Sequence, residues 1–313
     1  MGQNELIISL PQKLTVSSLC EIDFVSFWKT RSNPVDKIIF DFSPIEFVRP
    51  AGLASIVALM KFSKHLGVAE RYYFREPKDS DVRQYLKRMG FYGQFGIIKE
   101  QVNQKIKSLS TLCELREVKD EFEAYKVTEQ LVKIVREQVQ PRKEMMQVIS
   151  HALGEIVDNI FHHSKSPVNG FVCAQTYKGE GEVEIAVADC GVGIKESLKG
   201  NPIYKGIRDN AEAIEIALGK MTTGKPGTNS GQGLFVCQRY VKENSGQMDV
   251  ISGNAQYALR GTGGNVKSHP FWQGTIVSMV FNLEHTFDPK KVLNSEFPLD
   301  ADFDELFEEA GER

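Results

Sequence analysis

The sequence predicts two folded parts, an α/β unit followed by an α+β unit. Three observations carry this. The 313 residues exceed the roughly 100–200 expected of one domain. Over the first hundred residues, short β-branched and aromatic runs alternate with helical patterns, which implies a sheet with helices packed on it. The second half instead sets pairs of strands between long helices and interrupts them with one extended irregular stretch.

In the first unit, residues 6–10, 36–42 and 71–74 read as strands. Residues 17–30 read as a helix with a serine cap, and 50–66 as an amphipathic helix. The latter has Pro50 in its first turn, where a missing N–H does no harm, and Gly67 at its end. A short helix over 81–89 is closed by Gly90. Residues 108–115 suggest a further strand and 121–138 a charged amphipathic helix, broken at Pro141. The connection between the two units is expected between about residues 100 and 142. The second unit opens with a helix over 143–164, whose apolar stripe is Met145, Ile149, Leu153, Ile156 and Ile160. Strands follow at 170–177 and 182–189. Then comes an irregular stretch, 191–230, with one helical piece at 208–218. A helix starts near Gly233, and strands at 247–252 and 274–282 end the unit. The expected division is 1–105, a connecting strand and helix over 106–142, 143–285, and an acidic tail over 286–313.

Composition excludes several classes. At 41% hydrophobic and 25% charged, the chain is ordinary for a soluble globular protein. No apolar run approaches the roughly 20 residues of a membrane span, and residues 1–11 lack the basic start and apolar core of a signal peptide, so no membrane association is expected. The net charge is −3, and residues 300–313 alone hold seven acidic groups against one arginine. That balance does not suit nucleic-acid binding. The five cysteines are dispersed without C-x-x-C spacing, which disfavours zinc and dithiol chemistry and fits the reducing cytoplasm. In the tail, Phe303, Leu306 and Phe307 fall on one face of a short amphipathic pattern that could dock on a basic-rimmed groove.

Four short motifs carry chemistry, in a fixed order. The first is Glu155-Ile-Val-Asp-Asn159, in a helix. The second is Asp189-Cys-Gly191-Val-Gly193-Ile194, at a strand end. The third is Gly231-Gln-Gly233-Leu234, opening a helix, and the fourth is Gly274-Thr275, opening a strand. Glu155 and Asn159 are four apart on a helix and so project from one face. Two polar groups there need partners, which a Mg²⁺-bound triphosphate would supply. The glycines after Asp189 let backbone approach a flat ring. Gly231 and Gly233 sit where unpaired helix N–H groups favour phosphate. The stretch Gly219-Lys-Met-Thr-Thr-Gly224-Lys225-Pro226 is not a P-loop, because proline stands where a hydroxyl should bind Mg²⁺.

Over about 140–285 the chain resembles the GHKL family, the ATP-binding fold shared by gyrase, histidine kinases and MutL, whose four boxes match in order and spacing. The resemblance implies a Bergerat α/β sandwich that binds ATP with Mg²⁺. It implies that Glu155 is the catalytic base, that Asn159 holds the metal, and that Asp189 accepts a hydrogen bond from the adenine amino group. Thr275 would support a water behind Asp189. Gly191, Gly193, Ile194, Gly231, Gly233 and Leu234 would line the nucleotide, with His163 beside it in the register of related anti-sigma kinases. Between the second and third boxes lies a lid-sized gap carrying Lys195, Lys199, Lys205, Arg208, Lys220 and Lys225. Residues 36–59 resemble the STAS domain of anti-sigma factor antagonists, over about 1–100. In that family a turn serine accepts phosphate from a GHKL kinase. Here Pro50 and Ala51 occupy the serine positions, so that turn has no hydroxyl to phosphorylate. Together the two resemblances imply an anti-sigma-like serine/threonine kinase or partner switch acting on a protein partner, with a homodimer allowed. The alternative is a GHKL ATPase or nucleotide-gated clamp that is not a kinase.

Overall fold

The computed structural model describes residues 4–97, 112–139, 142–159, 163–220, 222 and 233–296. The first part is a parallel sheet of β1 (Glu5–Ser9), β3 (Val35–Asp41) and β5 (Ala69–Arg75), in the order β1-β3-β5. A two-residue parallel bridge joins β2 (Lys13–Leu14) to β4 (Phe47–Val48). Helices α1 (Phe24–Lys29), α2 (Pro50–Leu66) and α3 (Ser80–Arg88) complete it. The serine-capped helix expected over 17–30 is instead a 3-10 turn, Leu19–Glu21, followed by the short α1. Ile22 is extended at the break, and Asp23 caps α1 by accepting the Ser26 N–H at 2.9 Å. A second, internal cap stops one helix and starts another.

The second part is a five-stranded antiparallel sheet in the order β6-β7-β8-β10-β9, where β6 is Leu112–Val118, β7 Gly170–Tyr177, β8 Glu182–Asp189, β9 Gln247–Arg260 and β10 Gly263–Asn282. Helices α4 (Glu121–Val139), α5 (Lys143–Asn159), α7 (Asn210–Ala217) and α8 (Gly233–Glu243) pack on one face. The stripe Met145, Ile149, Leu153 and Ile156 is buried there, while Ile160 lies outside the described residues. Residues 112–139, expected within a connection, contribute an edge strand and a helix to this layer.

Two further expectations change. The strands expected at 247–252 and 274–282 are parts of a longer hairpin that turns at Gly261, whose φ is +59°. Beyond residue 252, Ala255, Tyr257 and Leu259 alternate into the core and carry the strand on to the turn. The stretch after Gly191 is largely helical through residue 217. It contains α6 (Gly193–Leu198), a 3-10 turn at Pro202–Tyr204 and α7. Ile194, Leu198, Ile207, Ala213, Ile214 and Leu218 are buried, so this part of the expected lid is packed against the core. Residues 223–232 and the tail from 297 lie outside the described residues.

The other face of the antiparallel sheet is covered by the first part of the chain. Phe171, Cys173, Ala188, Cys190, Ile251, Trp272 and Ile276 share a core with α1, α2 and the parallel sheet. Helix α2 thus has a sheet on each side. It reads as amphipathic from the sequence, yet it is buried almost all round, from Leu53 and Ile56 to Phe62. Each such side chain contributes about 1.5–3 kcal/mol on burial. Polar links cross the same seam: Lys61 to Glu117 at 2.8 Å, and Tyr85 to Gln175 at 2.9 Å.

Candidate functional site

The site forms where α5 ends, β8 ends and α8 begins. Glu155 and Asn159 project from the last turns of α5 toward Gly233, the first residue of α8. A methyl group at Gly233 would overlap Glu155 Oε2 and come within 3.4 Å of Asn159 Nδ2, so the helix start approaches both side chains as closely as a glycine allows. Asn159 Nδ2 is buried and has no hydrogen-bond partner among the described residues. A buried amide left unpaired costs about 1–3 kcal/mol, which a ligand at this point would relieve. Glu155 is about one-third exposed, accessible to a substrate.

Glu155 is also held from behind. His151 Nε2 lies 3.4 Å from Glu155 Oε1, and His151 Nδ1 lies 2.9 Å from the Tyr240 hydroxyl of α8. Burial pushes the Tyr240 phenol well above its ordinary range, so it stays neutral and can donate to Nδ1. His151 thus bridges the Tyr240 hydroxyl through Nδ1 and faces the Glu155 carboxylate through Nε2.

Asp189 closes the other end. It is buried at the last position of β8, and its carboxylate accepts N–H groups from Gly191, at 2.7 Å, and from Thr275. Burial outweighs those two bonds and pushes the carboxyl up to about 7. Gly191 has no room for a side chain, which would overlap the Ser164 carbonyl; that carbonyl also accepts the Val192 N–H at 2.7 Å. Ser164 therefore ties the segment after α5 to the segment after β8. Gly193 (φ +77°) starts α6, and Ile194 is buried in the helix-side core. Ser252 of β9 accepts the Ile194 N–H and donates to the Gly274 carbonyl, both at 2.9 Å.

The structure brings together Glu155, Asn159 and Gly233 at one end, and Asp189, Gly191, Gly193, Ile194 and Thr275 at the other. Thr275 reaches Asp189 directly through its backbone. Leu234 packs half-buried against the helix-side core. His163 sits beside Ser197 of α6, with Nδ1 3.4 Å from the hydroxyl. Gly231, His162 and Lys225 lie outside the described residues. Among the lid cations, Lys195 donates to the Arg208 carbonyl, Lys199 pairs with Glu196, and Arg208 pairs with Glu212. Sequence reasoning missed Ser164, Ser252 and Trp272, whose indole N–H donates to the Asp189 carbonyl at 3.0 Å. Their types carry no signal, since a strand serine or a core tryptophan is ordinary. Only their neighbours make them part of the site.

Residues 147–285 match the family model described as Histidine kinase-, DNA gyrase B-, and HSP90-like ATPase. That segment is an ATPase domain of the GHKL class, and it contains every described site residue above. The class binds ATP, generally with Mg²⁺. The orphaned Asn159 amide and the glycine start of α8 fit that ligand. Among the described residues there is no group of three His, Cys, Asp or Glu side chains that could hold a metal. No curated protein matches the chain. No helix among the described residues is long and apolar enough to cross a membrane.

Proposed function

We propose that this chain is a regulatory protein kinase of the anti-sigma type, which uses Mg-ATP to phosphorylate a serine or threonine hydroxyl on a protein partner in the cytoplasm. The observation that carries it is Glu155, accessible and oriented by His151, beside the unpaired amide of Asn159 at the glycine start of a helix. Bound Mg-ATP supplies the phosphoryl group. Asn159 would hold the metal, and the start of α8 would offer its unpaired N–H groups to the phosphates. Asp189 accepts the adenine amino group. Glu155 takes the proton of the attacking hydroxyl, a contribution of about 10²–10⁴-fold in rate. His151, 3.4 Å from the carboxylate, keeps it aimed.

The N-terminal unit, STAS-like in its strand–helix order, is in this reading a built-in partner that has lost its phosphate acceptor at Pro50 and Ala51. One observation favours a second reading, a nucleotide-gated clamp. The N-terminal unit contacts the strand that backs Asp189, so nucleotide occupancy and the seam are linked. Incubation with γ-labelled ATP and cell extract separates the two: label on a protein supports the kinase, free phosphate alone the clamp. Glu155→Ala is expected to abolish turnover while nearly preserving binding, because a base acts in the transition state. Asn159→Ala is expected to lose Mg²⁺-dependent binding as well. Normal turnover in both variants would refute the assignment.

A further inference from the structure

We propose that Trp272 is a positioning residue for the adenine-reading carboxylate of Asp189, and that through it the N-terminal unit becomes part of the nucleotide site. The inference rests on reading Asp189 as the adenine acceptor.

The segment from Phe271 to Thr275 wraps the end of β8. The Trp272 indole N–H donates to the Asp189 carbonyl at 3.0 Å, the Gln273 amide donates to the Gly191 carbonyl, and the Thr275 N–H donates to the Asp189 carboxylate. Between them, Gly274 adopts φ +99° with no room for a side chain against the Asp189 carbonyl. The β9–β10 register is broken on both sides of Trp272, between Ser268 and Trp272 and between Trp272 and Thr275. A regular ladder therefore does not fix this segment, and its side-chain bonds must do so.

Those side chains are held from the N-terminal unit. Trp272 is 1% exposed, and the Phe24 ring of α1 meets it edge-on, with centroids 5.9 Å apart and planes at 86°. Trp28, also on α1, donates its indole N–H to the Phe271 carbonyl at 2.8 Å and packs against the Phe271 ring at 5.4 Å. A short chain of contacts thus runs from α1 through Phe271 and Trp272 to the backbone of Asp189. Shifting that peptide turns the carboxylate away from the base edge.

The consequence is a specificity effect. A carboxylate accepts from the amino group of adenine and repels the carbonyl of hypoxanthine at the same ring position, provided it is correctly aimed. Losing the Trp272 N–H should therefore weaken ADP more than IDP. Loss of general packing would instead lower both affinities together with stability.

Trp28 and Trp272 are the only tryptophans in the chain. In Trp28→Phe, which keeps an aromatic ring on α1, all tryptophan emission comes from Trp272. Adding ADP to this variant should change that emission with the dissociation constant found by calorimetry. Trp272→Phe keeps a ring for Phe24 and removes the N–H. Its ADP affinity should fall about tenfold and its IDP affinity should change little, while its melting temperature falls only by the cost of one unpaired buried carbonyl and a smaller ring. Parental ADP affinity and base selectivity in Trp272→Phe would overturn the proposal. So would equal loss for both nucleotides, or Trp272 emission that ignores saturating ADP. If Trp272→Phe does not fold, the emission measurement on Trp28→Phe decides alone. Asp189→Asn is measured alongside. If it loses ADP affinity while Trp272→Phe does not, only the present inference falls. If neither variant loses affinity, Asp189 is not the adenine acceptor and the nucleotide reading falls with it.

Discussion

Arg49 of the N-terminal unit pairs with Glu184 of β8 across the seam, with Nη1 3.3 Å from Oε2. The other oxygen of the same carboxylate accepts the Ala51 N–H at 3.2 Å, so a strand residue caps the start of α2. Arg49 also pairs with Glu180 at 3.0 Å and stacks over the Tyr177 ring at 4.4 Å. Glu184 is almost wholly buried, and burial pushes its carboxyl up despite these partners. Arg49→Met should therefore strand a buried carboxylate and cost about 3 kcal/mol, the low end for breaking a buried pair, because Arg49 keeps some exposure. Adding Glu184→Gln should recover part of the loss, since a neutral amide needs no cation. Urea unfolding of the single and double variants checks this; additive losses would refute the coupling.

Asp189 predicts a pH dependence. Its carboxyl is raised from 3.8 to about 7 in the folded protein, so between those values the native state holds a proton that the unfolded chain releases. Its contribution to stability is present at low pH and is lost as pH rises through this window, by about 1.4 kcal/mol per unit. Asp189→Asn should flatten that slope in nucleotide-free protein, as read by unfolding at several pH values. ADP binding should require the ionised carboxylate. Affinity should then fall as pH drops below about 7, and binding should release a proton, measured by calorimetry in buffers of different ionisation enthalpy.

Gly233→Ala should separate stability from chemistry. Gly233 is the first residue of α8, where alanine gains only part of its roughly 1 kcal/mol interior preference over glycine. At this position its methyl group would displace Glu155. The variant should melt near the parent temperature and lose at least about tenfold in turnover, on the scale of a general base moved out of place. Full turnover would show that Glu155 is not the base.

Ser252→Ala should remove the two bonds that join Ile194 to Gly274. With the Ile194 N–H and Gly274 carbonyl left buried, the cost should be about 1–3 kcal/mol in denaturant unfolding, with weaker ADP binding alongside. An unchanged ADP affinity would detach Ser252 from the site.

Much of this architecture was legible where local chemistry and function coincide. Proline at the start of α2, Gly67 at its end and the paired strands of 170–189 followed local rules, and the motifs around Glu155, Asp189 and Gly233 sat in one order. The sequence was opaque where long-range contacts decide. Nothing local says that 255–259 continues a strand through a glycine-rich stretch, because the reason is burial of Tyr257 and Leu259 by distant helices. Nothing local marks Trp272, whose role comes from Asp189, 83 positions away. Helix α2 read as one-sided because periodicity cannot reveal a second sheet above it.

The engagement of Arg49 and Ala51 with β8 has a consequence for dosage. The two surfaces belong to one polypeptide, so each molecule carries them one to one at every expression level. Dilution does not release a tethered surface, whose effective local concentration is on the order of millimolar. A soluble rival for this face would have to outcompete that concentration and also lift α2 from two sheets. Crowding the cell with free homologues of the N-terminal unit should leave the seam closed, which makes its occupancy a property of the molecule and not of the pool around it.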